Sequence, residues 1–204
     1  MEEALVLFDK NGFHGVTVSE IVAQTGTSKG GFYHHFYSKD ELLFVIHDTF
    51  ITYALEQAMI ANKTYFVPTQ KLQTIVKEFV KTFDLYKPYI SVFYQEDIYL
   101  KYEYEWRIRE KRDSFKQIII EVLKEGQETG EFRDRIPVDM TAMAILGMVN
   151  WTYKWYQPSG AMSIDDIGSV YVDLILHAVL KPDSLTESTY QDLLLASVKK
   201  DLDG

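Results

Sequence analysis

Residues 17–39, with the sequence TVSEIVAQTGTSKGGFYHHFYSK, bring together several side chains that suit the binding of phosphates. Those expected on its outer surface are Lys29, Gly30, Tyr33, His34 and Lys39. Lysine neutralises phosphates, tyrosine and histidine donate hydrogen bonds to phosphate oxygens, and glycine lets a backbone approach a groove wall. The segment carries two lysines against one acid, although the whole chain has a net charge of −9. The combination indicates a local DNA-binding surface on an acidic protein.

Two short helices joined by a turn are needed to position these side chains. Apolar residues within 18–25 fall on one face and predict the first helix. Gly26 suits the turn, because glycine accepts the left-handed backbone that such turns often need. A second helix is predicted from Ser28, and its Phe32 and Phe36 are spaced to pack on the first. The pattern predicts a helix-turn-helix, but it is also compatible with an all-helical protein in which the paired glycines only permit close packing.

A longer stretch, residues 8–42, resembles the DNA-binding domain of the TetR family of bacterial transcription regulators. The resemblance is carried by Phe8, Gly12, Phe13, Thr17, Val18, Ile21, Val22, Ala23, Gly26, the run from Ser28 to Phe36 and the run from Ser38 to Leu42. It implies a homodimer whose third helices enter successive major grooves of palindromic double-stranded DNA. It also implies that the later helices form a ligand-binding and dimerisation body.

The family pattern, carried over by position, implies a set of DNA contacts. The implied phosphate contacts are Thr17, Ser28, Tyr33, His34 and Lys39. Lys29 and Gly30 would face base edges, and Thr27 completes the set. Family members usually carry a basic arm before the first helix, whereas this chain begins Met1-Glu2-Glu3 inside that helix. The resemblance therefore implies either an earlier native start or a member that lacks the arm.

Helical signals recur along the chain, and strand patterns are nearly absent. The five prolines lie outside the longest apolar-periodic segments, where they separate helices instead of interrupting them. Helices are predicted near residues 3–11, 18–25, 29–35, 39–62, 69–86, 88–100, 103–126, 138–156, 163–181 and 186–200. The sequence predicts an all-α fold with a three-helix helix-turn-helix domain, residues 1–47, and a helical ligand-binding and dimerisation domain, residues 48–204.

An aromatic segment in the second half has two open interpretations. Nine aromatic residues lie between Phe83 and Trp106, and they suit either a half-buried packing surface or the lining of a ligand cavity. The basic run 106–116 is likewise either a solvated helix face or an anion site at a cavity mouth. Residues 150–160 resemble, over a short stretch, TetR-type regulators that respond to coenzyme A thioesters of lipid or sterol breakdown. The predicted ligand-binding residues are Phe93, Tyr94, Tyr102, Trp106, Arg109, Asn150, Trp151 and Trp155.

A subunit interface is predicted near the C-terminal end. Residues 140–156 are apolar around most of a helix, so they are expected to be buried in a core or between subunits. They are expected to pair with residues 164–180, and two such helices from each subunit would form a two-fold symmetric four-helix interface. The TetR resemblance implies a dimer interface at the same point in the chain. The predicted interface residues are Met148, Tyr171, Leu174, Ile175 and Ala178.

Composition and motifs argue against several other classes of protein. Without cysteine there are no disulfides, thiol nucleophiles or cysteine-based metal sites. The histidines lack metal-ligand spacing and no catalytic serine or phosphate-loop motif is present, so no enzymatic activity, metal or cofactor is expected. The uncharged stretches are shorter than a membrane span, and the N-terminus is acidic where a signal peptide is basic. These features predict a cytoplasmic protein with no membrane contact.

The sequence therefore predicts a homodimeric transcriptional repressor that a small hydrophobic or amphipathic ligand, such as an acyl-CoA, releases from its operator. The alternative is a helical small-molecule carrier or scaffold of the same fold that has lost DNA binding. The acidic net charge would suit that alternative.

Overall fold

The computed structural model describes residues 1–96, 99–186, 190 and 194 of the chain. Its α-helices are α1 (Glu2–Asn11), α2 (Val18–Thr25), α3 (Lys29–His35), α4 (Lys39–Thr64), α5 (Pro68–Leu85), α6 (Lys87–Glu96), α7 (Tyr102–Thr129), α8 (Val138–Asn150), α9 (Thr152–Trp155) and α10 (Ile164–Val179). Within the described ranges, the only β-type pairing is an isolated bridge between Phe132 and Leu180. The predicted all-α fold is confirmed.

Side-chain caps define where the first helices begin. Thr17 caps α2 in a reciprocal box with Glu20, and Ser28 and Ser38 cap α3 and α4 through their hydroxyl groups. Each hydroxyl accepts a hydrogen bond from a backbone N–H that has no partner inside the helix. At the end of α2, Gly26 has φ +65°, the left-handed conformation that glycine adopts without strain. These local signals produce the predicted tight turn between α2 and α3.

Helix α4 links the N-terminal helices to the rest of the molecule. Its 26 residues span about 39 Å, and it packs against α5, α6 and α7. The rings of Phe50 on α4 and of Phe79 and Phe83 on α5 form an aromatic centre, with centroid separations of 5.6 to 6.5 Å. Polar contacts join α4 to α7. Lys111 Nζ of α7 lies 2.5 Å from Asp48 Oδ1 and 2.6 Å from Thr52 Oγ1 of α4. The two helices are therefore in direct contact.

For the helices that the structure describes, the predicted boundaries agree with the observed ones to within three residues except in two places. The helix predicted over 88–100 is observed as Lys87–Glu96, and residues 99 and 100 are not α-helical. The helix predicted over 138–156 is interrupted at Trp151, where Lys154 N–H donates to the Trp151 carbonyl at 3.0 Å in a tighter i to i+3 turn. Beyond this turn, buried Thr152 pairs its hydroxyl with that of Tyr171 at 3.1 Å. The helix predicted over 186–200 falls for the most part outside the described residues.

The two C-terminal helices pack mainly on different partners within one protomer, and their pairing across a subunit interface stays a prediction. Helix α10 packs on α5, and α8 packs mainly on α7. Each of the two helices thus buries one apolar side in its own subunit and leaves another side at the surface. No helix in the described parts of the chain has the length and apolar character that crossing a membrane requires.

Candidate DNA-binding surface and ligand cavity

Helix α3 presents most of the predicted DNA-binding set to solvent. The exposed members are Thr27, Ser28, Lys29, Gly30, Tyr33 and His34. Inward, Phe32 is buried in the core, which holds α3 on its neighbours, and its ring lies 5.6 Å from that of Phe36 in a tilted arrangement. The surface thus combines one cation, two hydroxyls, a phenol, an imidazole and an exposed backbone. Such groups contact the phosphates and base edges of a DNA groove.

The two glycines of α3 differ in what the fold requires of them. A Cβ added at Gly31 would lie 2.6 Å from Thr27 Oγ1, inside van der Waals contact. A Cβ at Gly30 would lie 3.7 Å from Ser28 Oγ, an ordinary contact distance. A side chain at Gly31 would therefore require the Thr27 side chain to move, whereas Gly30 leaves a stretch of backbone uncovered on the outer side.

Thr17 is exposed at the start of α2, but its hydroxyl already has partners. It donates to Glu20 Oε2 at 2.8 Å and accepts from the Glu20 N–H at 3.2 Å. Hydrogen bonds from the backbone N–H and hydroxyl of Thr17 lower the pKa of the Glu20 carboxyl. A carboxylate so close to Thr17 opposes a phosphate contact at this position.

Lys39 has a different role from the phosphate contact expected of it. Its Nζ donates to the carbonyl oxygens of Phe13 and Val16, each at 2.7 Å, and lies 4.2 Å from the centre of the Phe13 ring. These contacts satisfy two carbonyls in the loop after α1 and hold that loop against the start of α4. We therefore remove Lys39 from the proposed phosphate contacts.

An inner cavity of about 410 Å³ lies in the C-terminal body among α4, α5, α6, α7 and α8. It is lined by Phe50, Ile51, Phe79, Phe93, Tyr94, Arg112, Asp113, Phe115, Lys116, Met143, Leu146, Gly147 and Asn150. Three of the predicted ligand-binding residues, Phe93, Tyr94 and Asn150, belong to this lining. The volume falls in the ordinary range for small-molecule sites, about 300 to 1,000 Å³.

The other five predicted ligand-binding residues do not line the inner cavity. The prediction that all eight belong to one site is therefore wrong. Trp106 and Arg109 line a separate outer groove of about 820 Å³ between α4 and α7, on the surface. Tyr102 is 83% exposed at the start of α7, and Trp151 and Trp155 are exposed around the α8–α9 break. The spacing of aromatic residues could not separate these locations, because tyrosine and tryptophan tolerate both burial and exposure.

Sequence reasoning placed Arg112, the cation that lines the inner cavity, in the basic run 106–116 but did not include it among the predicted ligand-binding residues. Arg112 shares one face of α7 with Ile108, Phe115 and Ile119, all of which are buried. The sequence did contain a signal for this position. The helical periodicity of α7 predicts an apolar residue at 112, and the sequence has an arginine there. The Arg112 guanidinium lies 4.5 Å from the centre of the Phe93 ring.

His47 is a polar residue that the sequence analysis did not place. It is fully buried on α4, and its ring centroid lies 4.9 Å from that of Phe93. Burial, with a smaller contribution from the positive charge of Arg112, lowers the pKa of His47 to about 3. The imidazole is therefore neutral at physiological pH.

The predicted interface residues fall on two sides of α10. Tyr171 and Ile175 are buried inside the protomer, so their assignment to an interface is wrong. Leu174 and Ala178 are exposed, and Met148 of α8 is half-buried. An apolar stripe remains at the surface, formed by Met140, Met143, Ala144, Gly147, Trp151 and Trp155 of α8 and α9 with Leu174 and Ala178 of α10. On α8 the exposed apolar residues recur at i, i+3, i+4 and i+7, so they share one face of the helix, as is typical of a protein interface.

Comparison with known protein families gives two matches along the chain. Residues 1–46 match the family model described as bacterial regulatory proteins, tetR family. Residues 66–179 match the model described as tetracyclin repressor-like, C-terminal domain. Together the two matches include the α2–α3 unit and most of the helices around the inner cavity.

Individual relatives are distant but extend along most of the chain. The transcriptional repressor KstR2 of Mycobacterium tuberculosis is 22% identical over 182 residues, which cover 89% of this chain and 91% of the relative. The crystal structure of PfmR, a TetR family transcriptional regulator from Thermus thermophilus, superposes with a TM-score of 0.81 at 28% identity, covering 86% of this chain and 96% of PfmR. AibR, solved in complex with isovaleryl coenzyme A and operator DNA, superposes with a TM-score of 0.74 at 24% identity, covering 85% of this chain and 94% of AibR.

Proposed function

Because the chain belongs to the tetR family of bacterial regulatory proteins, we propose that it is a homodimeric repressor released from its operator by a small hydrophobic or amphipathic ligand. The observation that carries this proposal is the exposed polar surface of α3, held at a fixed angle by a left-handed Gly26 and a buried Phe32. In the proposal, residues 1–47 form the DNA-binding unit, and residues 48–204 bind the ligand and the second subunit.

Two copies of α3 would enter successive major grooves of a palindrome. That geometry requires the two helices to lie about 34 to 36 Å apart. Lys29 and Gly30 would face base edges, and Thr27, Ser28, Tyr33 and His34 would contact phosphates. The apolar stripe would form the subunit interface, since two copies of it cover each other under two-fold symmetry.

The proposed effector binds in the inner cavity. Its predominantly aromatic and aliphatic lining suits an apolar molecule, and the few polar groups would fix the orientation of that molecule. Release follows if the ligand favours a conformer in which α4 is tilted and the two α3 helices no longer match successive grooves. AibR, which was crystallised with isovaleryl coenzyme A and operator DNA, supports acyl-CoA thioesters as the first effector class to test.

Replacement of Lys29 and of Lys39 by alanine should have different consequences for DNA binding. Lys29 is exposed on α3, so Lys29→Ala should weaken operator binding, relax sequence preference and lower the salt slope by about one unit. Lys39→Ala should leave the salt slope unchanged and lower the free energy of unfolding by about 1 to 3 kcal/mol, because two carbonyl groups lose their donor. Gel shifts on DNA upstream of its own gene, at several salt concentrations, with thermal unfolding in parallel, measure both effects.

The outcome of that experiment also separates the repressor from a carrier or scaffold that has lost DNA binding. A wild-type protein that binds its upstream DNA no better than unrelated DNA would reject the repressor. If Lys29→Ala keeps the wild-type salt slope and Lys39→Ala lowers it, then Lys39 contacts DNA and Lys29 does not.

Acyl-CoA thioesters of increasing chain length should bind with increasing affinity and release the operator. Each methylene that enters the apolar cavity should add up to about 0.8 kcal/mol, until the 410 Å³ volume is filled. Calorimetric titration measures the affinity, and the gel shift measures release at matched concentrations. Affinity that does not depend on chain length, or tight binding with the operator still bound, would exclude acyl-CoA as the effector class.

A further inference from the structure

The inner cavity is open to solvent along one of its walls. Three of its lining residues, Asp113, Met143 and Gly147, are exposed, whereas the others are buried or half-buried. Met143 is 54% exposed although it belongs to the lining. Exposed residues that also line a cavity mark the place where the cavity reaches the surface. The opening therefore lies between α7, which carries Asp113, and α8, which carries Met143 and Gly147.

The α8 side of this opening belongs to the apolar stripe. Met143 and Gly147 are two of the eight stripe residues, and they lie about one helical turn apart. Met140 and Ala144, which are also exposed, extend the same face of the helix. A surface that covers the stripe therefore also covers the α8 side of the opening.

Packing within the described part of the protomer does not require a glycine at position 147. A Cβ added at Gly147 would meet no atom within 4 Å outside the local helix backbone, and its φ is not positive. Within a helix, glycine is less favourable than alanine because it loses more conformational freedom on folding. The missing side chain does allow another chain to approach the α8 backbone closely at the edge of the opening.

A second copy of the chain is the occupant that suits this surface. In the proposed homodimer, the stripe of each subunit faces the stripe of the other, so two-fold symmetry covers both openings in the same way. None of the eight stripe residues carries a charge. The stripe can therefore face a copy of itself without the repulsion that like charges would cause.

We propose that the partner subunit completes the inner cavity by closing its opening along α8, at Met143 and Gly147, so that ligand binding and dimerisation are coupled. The inference rests on the proposed function, because it concerns the regulation of the same ligand site in the same homodimer.

An acyl-CoA remains compatible with a cavity that is closed in this way. The α7 side of the opening lies outside the stripe, at Asp113 and Lys116, whose side chains pair at 2.8 Å. The coenzyme A part of a thioester can leave the cavity there while the partner covers the α8 side. The acyl group then loses more contact with water in the dimer than in the monomer, which raises its affinity.

A single introduced cysteine can report whether the partner covers the opening, because the chain has no cysteine of its own. Leu174 is an exposed stripe residue, so Leu174→Asp should separate the subunits. Met143→Cys should react with the thiol reagent DTNB at least about tenfold more slowly in the dimer than in the Leu174→Asp background, because the partner limits access to the thiol. Met59→Cys is the matched control, since Met59 is 42% exposed on α4 and lies outside the stripe. Its rate should be the same in both backgrounds.

Titration with octanoyl-CoA measures the coupling itself. Calorimetry should show at least about tenfold weaker binding to Leu174→Asp than to the wild type, although Leu174 does not line the cavity. Leu85→Asp, at an exposed position outside the stripe, should bind octanoyl-CoA as the wild type does. By linkage, saturation of the two cavities should lower the dissociation constant of the wild-type dimer by the square of the same factor.

Two results would overturn the inference. One is equal reactivity of Met143→Cys in the dimer and in the monomer, whether that reactivity is high or low. The other is equal affinity of the two forms for octanoyl-CoA. The proposed repressor is tested separately, by binding to its upstream DNA. A dimer that binds this DNA while Met143→Cys stays fully reactive would reject the inference alone.

Discussion

Replacement of Leu174 by aspartate should convert the proposed dimer into folded monomers. Leu174 is 52% exposed on α10 and belongs to the apolar stripe. Two-fold symmetry places each substitution in the interface twice, and a buried carboxylate without a partner is strongly unfavourable. We expect the dissociation constant of the dimer to rise at least a hundredfold, about 2.7 kcal/mol or more. Size-exclusion chromatography with light scattering over a range of concentrations measures the change.

Two further substitutions serve as controls for this result. Leu85→Asp, at a similarly exposed position at the end of α5 and outside the stripe (59% exposed), should leave the dimer intact. Ile175→Asp, only one residue from Leu174, should prevent folding, because Ile175 is 3% exposed and packs inside the protomer. A Leu174→Asp protein that stays dimeric at the wild-type concentration would place the interface elsewhere.

Acidification should destabilise the protein through His47. The pKa of its imidazole is about 3 in the folded protein, against about 6.5 in the unfolded chain. The unfolded state therefore binds a proton below pH 6.5 that the folded state does not bind, and stability falls by about 1.4 kcal/mol for each pH unit down to about pH 3. At pH 4.5 the loss attributable to His47 is about 3 kcal/mol. Urea unfolding between pH 7 and pH 4.5 measures it.

Substitution of histidines separates this effect from the titration of the carboxylates. His47→Leu should flatten the decline in stability between pH 6.5 and pH 4.5, since position 47 then carries no group that takes up a proton on unfolding. His35→Leu, at an exposed position on α3, should keep the slope of the parent protein. If the free energy of unfolding of His47→Leu falls with pH as steeply as that of the parent protein, other groups cause the acid sensitivity.

The N-terminal fold could be predicted from the sequence because its signals are local. The capping hydroxyls of Thr17, Ser28 and Ser38 and the left-handed Gly26 each act within four residues. The break at Trp151 was missed because it accompanies a contact between residues far apart in sequence, the buried hydroxyl pair of Thr152 and Tyr171. Helical periodicity contains no information about such contacts.

The candidate sites were predicted less well than the fold, for a related reason. Composition located the aromatic segment, but only packing decides that Phe93 lines a cavity while Tyr102 lies in solvent. On α10, adjacent residues point about 100° apart, so Leu174 and Ile175 face different surroundings although both are apolar. The sequence predicted a basic DNA contact at Lys39, but it could not anticipate that two carbonyl oxygens of an earlier loop bind that ammonium group.

In α3, the residues that pack inward differ from those that face outward, and this separation affects how such a protein can evolve to bind a new operator sequence. Ser28, which caps α3, and buried Phe32 hold the helix in place, whereas Lys29, Gly30, Tyr33 and His34 face outward. Mutations at Lys29, Gly30, Tyr33 or His34 can therefore accumulate without first requiring a compensating gain in stability. After gene duplication, the two copies could diverge in operator sequence while retaining the same effector. Evolution of DNA specificity and evolution of ligand specificity are in this way separable along one chain.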